Sequence, residues 1–247
     1  MWTITGQQAH LQTLDLSGTL DLSTPGTGLH QLCLADSRLA HIQLLGIARD
    51  GCTLTAVPDQ EPYSRDNSLI IRYGDQEDPS HHLQVQWRCI PPEPGLYLGG
   101  LELILSFETP SQINLPEWTT MTQVCQQDIL VTGADSEQSW ISLNEMSETA
   151  DSTLSASTNE THMILCRFPE QQLSYLEMTS PAEPPLVILP TPETTRTLWG
   201  SRTPDRPLEK GVILRRRVRG VFLPLERDTL LADKAYAQFK ALDPPLN

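Results

Sequence analysis

Three arginines alternate along one short stretch near the end of the chain, within residues 208–224. Side chains alternate across a β-strand, so Arg215, Arg217 and Arg219 would stand in a row on one face. The planar guanidinium fork matches carboxylate, sulfate and phosphate groups. The opposite face is apolar apart from Arg216, and its other members are Val212, Leu214, Val218 and Phe222. Two interpretations stay open: an anion-binding row, or a half-buried strand whose arginines pair with carboxylates on neighbouring strands.

Two stretches in the middle of the chain alternate between apolar and polar residues. In one of them Gln84, Gln86 and Arg88 share a face, and in the other Glu102, Ser106 and Glu108 do. Such alternation predicts antiparallel strands with one buried and one wet face. A wet face of this composition is the ordinary outside of a sheet, but it is also typical of sugar-binding surfaces.

The titratable candidates suggest proton transfer on a sugar as one alternative. His81 or His82, at the start of a predicted strand, could act as acid or base together with Glu102 or Glu177. Glu102 and Glu108 share a strand face but lie roughly 20 Å apart along it. That distance is too long for a glycoside hydrolase pair, whose carboxylates lie about 5–10 Å apart. The predicted ligand-binding residues are Arg88, Glu102, His82, Glu177, Arg215, Arg217 and Arg219.

Motifs for cofactors and metals are absent from the sequence. It contains no P-loop, no GxGxxG, no GxSxG and no CxxC pair. The His81–His82 pair has no third ligand nearby in sequence, as a zinc site would need. We therefore predict no cofactor and no metal.

Charge is distributed unevenly along the 247 residues. The net charge is -14, but residues 196–219 contain eight basic and two acidic side chains, so the rest of the chain carries -20. The acidic body should repel nucleic acid and anionic membranes, whereas the basic segment could attract an anion. The arginines also lack the interleaved aromatic residues typical of nucleic-acid binding. We expect neither a nucleic acid nor a membrane as partner.

The cysteines and the first residues favour a cytoplasmic location. The five cysteines are scattered and odd in number, which is typical of free thiols in a reducing compartment. The N-terminal residues show no signal-peptide pattern, and no apolar run is long enough to span a membrane.

Short strand patterns separated by frequent turn signals predict an all-β protein, an antiparallel β-sandwich. The length fits a single domain over 1–247. Seven prolines between 181 and 207 predict an extended connection, with room for one strand at Leu186–Leu189. Helical spacing of apolar residues predicts one short C-terminal helix over about 229–242, capped by Asp228.

Four short segments carry a resemblance to a known family: 84–88, 101–106, 174–178 and 208–215. Through them the chain resembles an uncharacterised family of planctomycete-type bacterial proteins, which is similar to the galactose-mutarotase-like β-supersandwich. The resemblance implies a large sandwich with a concave sheet suited to carbohydrates. The sequence departs from the mutarotase pattern at one place, since it lacks an Asn-His-Tyr-Phe-Asn-like segment, which carries a catalytic histidine in those epimerases.

Three hypotheses about function follow. The first is binding of an acidic or neutral glycan on the polar sheet face, without catalysis. The second is a sugar-active enzyme of epimerase or lyase type. The third is a structural or assembly protein that docks an acidic partner through the basic strand.

Overall fold

A computed structural model of the chain describes residues 1–35, 37–40, 42–74, 82–108, 113–125, 128–132, 140–143, 160–189, 196–203 and 206–242. The candidate His81 lies outside these residues.

Antiparallel strands make up most of the described chain. In chain order they are β1 (Trp2–Thr5), β2 (Gln8–Gln12), β3 (Leu16–Asp21), β4 (His30–Leu34), β5 (Ser37–Leu39), β6 (Gln43–Arg49), β7 (Cys52–Thr53), β8 (Tyr63–Arg65), β9 (Ser68–Gly74), β10 (His82–Ile90), β11 (Gly99–Glu108), β12 (Ile113–Leu115), β13 (Trp118–Cys125), β14 (Asp128–Thr132), β15 (Trp140–Ser142), β16 (Glu160–Thr161), β17 (Met163–Phe168), β18 (Leu173–Thr179), β19 (Leu186–Leu189), β20 (Arg196–Thr203), β21 (Arg206–Leu208) and β22 (Ile213–Pro224).

Two large sheets form the body of the sandwich. Nine strands pair in the order β15-β14-β17-β18-β22-β11-β10-β9-β8, and six pair in the order β16-β19-β20-β13-β6-β7. Their inner faces meet: the rings of Phe107 and Trp118 lie 5.5 Å apart, and the indole N–H of Trp87 donates to the carbonyl of Leu45 at 3.3 Å. The prediction of an all-β antiparallel sandwich is confirmed, because alternating apolar residues can be buried together only when two such faces pack.

The first five strands form a separate sheet, in the order β1-β2-β3-β4-β5, which packs against the edge of the nine-stranded sheet. The hydroxyl of Tyr73 donates to the carbonyl of Leu22 at 3.0 Å, and the indole N–H of Trp2 donates to the carbonyl of Asn67 at 3.2 Å. Strands β12 and β21 pair as a two-stranded ribbon. One continuous cluster of buried apolar residues spans the three larger sheets. That continuity supports the single-domain organisation over 1–247, which stays a prediction.

A C-terminal helix, α1 (Asp228–Lys240), covers part of the outer face of the nine-stranded sheet. Its buried Ala232 and Phe239 belong to a second apolar cluster that also contains Leu176, Val221 and Leu223 of the sheet. The observed bounds lie within two residues of the predicted ones, but Asp228 is the first helical residue and Arg227 occupies the N-cap position predicted for it. Among the described residues no helix is long and apolar enough to cross a membrane.

The basic strand is more deeply buried than the half-buried strand of one interpretation, but the ion pairing that this interpretation predicted is present between Arg219 and Glu102 of the neighbouring strand β11. Strand β22 is fifth in the nine-strand order and has hydrogen-bonded neighbours on both sides. It begins at Ile213, whereas Val212 precedes it and is 42% exposed. From Arg217 to Leu223 every residue is buried, because the six-stranded sheet covers one face and α1 covers the other.

The proline-rich stretch 181–207 contributes two strands to the six-stranded sheet and is not only an extended connection. Its predicted strand is present as β19, but residues 196–203 also form β20, which pairs with β13 and β19. No proline lies between 196 and 203, so each backbone amide there can donate to a neighbouring strand.

Candidate functional site

Strands β10, β11 and β22 are adjacent, and their register lines up polar residues on the outer face of the nine-stranded sheet. The rows across the three strands are Arg88–Glu102–Arg219, Gln86–Ile104–Arg217, Gln84–Ser106–Arg215 and His82–Glu108–Ile213. Six of the seven residues predicted to bind ligand therefore share one face of three neighbouring strands. One part of this face is covered by α1, and the other part is open to solvent.

Glu102 is the centre of the covered part. Its carboxylate is 0% exposed, and it accepts hydrogen bonds from Arg88 Nη2 and from Arg219 Nε, the latter at 2.7 Å. Both carboxylate oxygens are thus held by guanidinium groups. Such charge-assisted bonds stabilise a buried carboxylate. Glu102 is already paired on both sides, so it cannot serve as a free acid or base.

The helix closes this part of the face. The Phe239 ring lies over the guanidinium carbons of Arg217 and Arg219, at 4.7 Å and 4.9 Å from its centroid. These are cation–π distances. The two arginines are only 5% and 9% exposed, so neither presents its cation to solvent.

Arg215 lies beyond the helix, in an open recess. It lines a depression of about 90 Å³ together with Arg72, His82, Gln84, Ser106, Glu108 and Ile213. We call this depression the arginine recess. A water molecule occupies about 30 Å³ in the liquid, so the recess has room for one small charged group rather than a whole sugar ring.

Asp59 lies next to two of the side chains in the recess. Its Oδ2 atom lies 3.4 Å from Arg72 Nε and 3.8 Å from His82 Nδ1, and all three side chains are about two-thirds buried or more. The Asp59 backbone amide donates to the carbonyl of Arg72 at 3.0 Å, which fixes the aspartate beside β9. The carboxylate is therefore close to both side chains, although neither contact has hydrogen-bond geometry.

Glu177, the seventh predicted residue, lies on the opposite face of the sheet. It is 0% exposed and accepts hydrogen bonds from the hydroxyls of Thr122, at 2.5 Å, and Tyr175, at 3.0 Å. Burial raises the pKa of Glu177 from its usual value of 4.5 to about 7, although the hydrogen bonds from Thr122 and Tyr175 oppose the rise. The structure does not bring Glu177 together with the arginine recess.

The sequence interpretation missed the neighbours that complete the recess. It placed Gln84, Ser106 and Glu108 on wet faces, but the register that sets them beside Arg215 is not visible in the sequence. Asp59 lies in a loop and so carries no periodic signal at all. Within the described parts of the chain, no group of three or more His, Cys, Asp or Glu residues could hold a metal ion.

No protein-family model and no curated protein sequence matches the chain. Solved structures do match. A galactose mutarotase-like protein from Clostridium acetobutylicum has a TM-score of 0.57 at 7% identity, over 88% of this chain and 95% of that one. A protein from Escherichia coli K12, provisionally described as an aldose 1-epimerase, has a TM-score of 0.56 at 10% identity, over 87% and 98%. The Slr1438 protein from Synechocystis gives 0.56 at 10% identity, over 91% and 100%. At these identities the likeness shows the fold alone.

Proposed function

We propose that the protein binds a carbohydrate that carries an anionic group, and that this group enters the arginine recess. The observation that carries the proposal is the position of Arg215, whose guanidinium lines an open recess with Arg72, while its neighbours Arg217 and Arg219 are buried beneath α1. The fold, shared with galactose mutarotase-like proteins, supports a sugar-related role.

The other polar residues of the recess can contact hydroxyl groups next to the anionic group of a sugar. Gln84 and Ser106 can donate to hydroxyl oxygens or accept from hydroxyls, and Glu108 can accept from them. Arg215 and Arg72 supply the charge-assisted bonds that a carboxylate, sulfate or phosphate requires. The recess thus contains two arginines and one carboxylate, Glu108, and Arg72 already pairs with Asp59, so Arg215 is the cation that an acidic substituent on a hydroxylated ligand would meet.

Calorimetric titration of the purified protein tests this function. The ligands are glucuronic acid, galactose 6-sulfate and neutral glucose, each at low and physiological salt. The Arg215→Ala variant should bind the two anionic sugars about tenfold more weakly, which corresponds to about 1.4 kcal/mol of lost binding free energy. Affinity should also fall as salt rises, because exposed charges are screened.

Arg38→Ala is the matched control, since Arg38 is an exposed arginine of the N-terminal sheet. It should leave both affinities unchanged. Equal weakening in the two variants, or no binding of any anionic sugar by a wild-type protein shown to be folded by its thermal melt, would contradict the proposal.

A sugar-active enzyme is the second candidate, and one observation favours it. His82 and Glu108 face each other directly in the register of β10 and β11, and both line the arginine recess. A histidine and a carboxylate at such a place could transfer protons to and from a sugar. The pairings predicted from sequence, with Glu102 or Glu177, do not fit, because Glu102 is held by two arginines and Glu177 lies on the other face.

Anomer exchange measured by NMR tests the enzymatic alternative. If the recess is catalytic, the protein should accelerate exchange between the anomers of an acidic sugar, and His82→Gln should abolish the acceleration while binding persists. Binding without any acceleration would leave the protein a carbohydrate-binding module.

The arrangement of β22 argues against docking of an acidic partner by the basic strand. The strand has neighbours on both sides, and the Phe239 ring covers two of its three aligned arginines.

The cellular location of the protein and its relation to planctomycete-type proteins stay predictions. All five cysteines are free thiols, which supports a reducing compartment such as the cytoplasm. The relation to planctomycete-type proteins depends on the short sequence segments alone.

A further inference from the structure

A second cavity lies at the edge of the nine-stranded sheet, next to the arginine recess. It has a volume of about 410 Å³ and is lined by residues 57–62, by Gly6 and Gln7, and by Leu22 and Ser23. We call it the edge groove. Sites for small ligands have volumes of about 300–1,000 Å³, so the groove is large enough for a sugar ring.

Asp59 joins the two cavities. It lines the edge groove, while its Oδ2 atom lies 3.4 Å and 3.8 Å from Arg72 and His82 of the arginine recess. Gly74 makes this position available, because a Cβ atom on Gly74 would lie 3.0 Å from Asp59 Oδ2 and 3.3 Å from its Cβ. One aspartate therefore forms the boundary between the cavities, and a ligand longer than one unit can contact both.

The charges of the two cavities differ. The arginine recess has two arginines and one carboxylate, Glu108, among its lining residues, whereas the described lining of the edge groove contains Glu61 and Asp59, the latter paired with Arg72, and no lysine or arginine. A second anionic unit would be repelled there. Gln7, Ser23 and Gln60 offer neutral hydrogen-bonding groups, and Val57, Pro58 and Pro62 offer apolar surface for the C–H face of a ring. These features suit a neutral sugar.

We infer that the edge groove is a second subsite, so that the protein's ligand is an oligosaccharide in which an acidic unit is linked to a neutral one. The anionic group of the acidic unit enters the arginine recess and the neutral unit occupies the edge groove, on either side of Asp59. This inference rests on the proposed function, since it assigns the neighbouring unit of the same ligand.

Calorimetric titration with ligands of increasing length tests the inference. Glucuronosyl-xylose should bind about tenfold more tightly than glucuronic acid, because the xylose adds contacts in the groove. Digalacturonic acid should gain less than about threefold over galacturonic acid, because Glu61 repels its second carboxylate and the groove has no cation to receive it. Xylobiose, which has no acidic unit, should bind more weakly than either acidic disaccharide.

A double variant separates the groove from the recess. Gln60→Ala with Glu61→Ala changes two exposed residues of the groove and should remove the gain from xylose, while the affinity for glucuronic acid stays the same. Glu170→Ala with Gln171→Ala is the matched control, because these adjacent residues form part of a short 3₁₀ helix elsewhere. The control should keep the full gain.

The outcomes of these titrations test the second subsite separately from the proposed function on which it rests. Binding of glucuronic acid with no gain from xylose overturns the second subsite and leaves the proposed function standing. Equal loss for the monosaccharide and the disaccharide in the groove variant also overturns it. Absence of binding to every acidic ligand overturns both.

Discussion

Two glutamates on the same face of β11 show how environment decides the role of a residue. Glu102 is completely buried between Arg88 and Arg219, whereas Glu108, six positions along the strand, is exposed and lines the arginine recess. A buried carboxylate needs its cations to offset the loss of hydration. The first glutamate is therefore structural and the second is available to a ligand.

Replacing Glu102 should destabilise the protein far more than replacing Glu108. In Glu102→Gln, Arg219 and Arg88 lose their common carboxylate, and breaking a buried pair costs about 3 kcal/mol or more. Glu108→Gln should change the free energy of unfolding by less than about 0.5 kcal/mol, as is usual for surface positions. Urea unfolding of the two variants measures the difference. Similar small losses of unfolding free energy in both variants would show that Glu102 does not stabilise this face of the sheet.

At the scale of elements, α1 is held to the sheet by a buried cluster at its first residue. The Asp228 carboxylate accepts from Arg167 Nε at 2.7 Å, from Arg167 Nη2 at 3.0 Å and from the Ser174 hydroxyl at 2.7 Å. The helix begins there after Arg227, whose φ of 61° lies in the left-handed region. The same helix places Phe239 over Arg217 and Arg219, so the anchor also determines which arginines stay accessible.

The Asp228→Asn variant should lose about 1.5–3 kcal/mol of unfolding free energy, the usual range for a hydrogen bond to a charged group. Burial alone would raise the pKa of Asp228, but the bonds from Arg167 and Ser174 lower it below its usual value of 3.8. A lowered pKa contributes stability above about pH 4, and that stability is lost as the pH falls through the folded-state pKa. The variant should therefore lack this acid-dependent part of the wild-type unfolding curve.

Asp233→Asn is the matched control on the same helix. Its carboxylate accepts a hydrogen bond from the uncharged Trp140 indole at 3.3 Å, whereas the Asp228 carboxylate is paired with a guanidinium group. Asp233→Asn should lose clearly less unfolding free energy than Asp228→Asn. Equal losses in the two variants would refute a special anchoring role for Asp228.

At the scale of the whole molecule, Glu177 spans the interior between the two large sheets. It projects from β18 of the nine-stranded sheet and accepts a hydrogen bond from Thr122 of β13 in the six-stranded sheet. The Thr122 hydroxyl in turn accepts from the backbone amide of Leu45 in β6. A titratable group thus lies inside the sandwich core, with hydroxyl donors as its hydrogen-bond partners.

The stability of the sandwich should fall as Glu177 ionises. Its pKa is raised to about 7 in the folded protein by burial, against 4.5 without it, so the folded state holds a proton that the unfolded state has released. Stability must then decrease as the pH rises from about 4.5 to about 7 and level off above that. Since one pKa unit corresponds to about 1.4 kcal/mol, the total loss is on the order of 3 kcal/mol.

Glu177→Gln should remove this pH dependence, because the amide mimics the protonated acid and never ionises. Urea unfolding of the wild type and the variant at about pH 4 and about pH 8 makes the comparison, and the variant should gain relative to the wild type at the higher pH. A difference between the two proteins that stays constant with pH would contradict the assignment.

Much of the fold was predictable from the sequence because local alternation survives folding. The polar and apolar faces of β10 and β11 follow directly from their period-two patterns, and α1 lies within two residues of its predicted bounds. Strand β20 was missed because the surrounding prolines dominate the composition, although none interrupts the strand itself.

The candidate site was only partly predictable from the sequence. The period-two pattern indicated that Arg88, Glu102, His82 and the arginines of β22 belong to polar strand faces. Only the tertiary structure decided that Phe239 covers Arg217 and Arg219, that Arg215 stays open beside Arg72 and Asp59, and that Glu177 lies within the core. The direction of a side chain depends on its own strand, so the local sequence pattern predicts it. The neighbours of that side chain depend on strand order, register and helix docking, which arise from contacts between residues far apart in the chain.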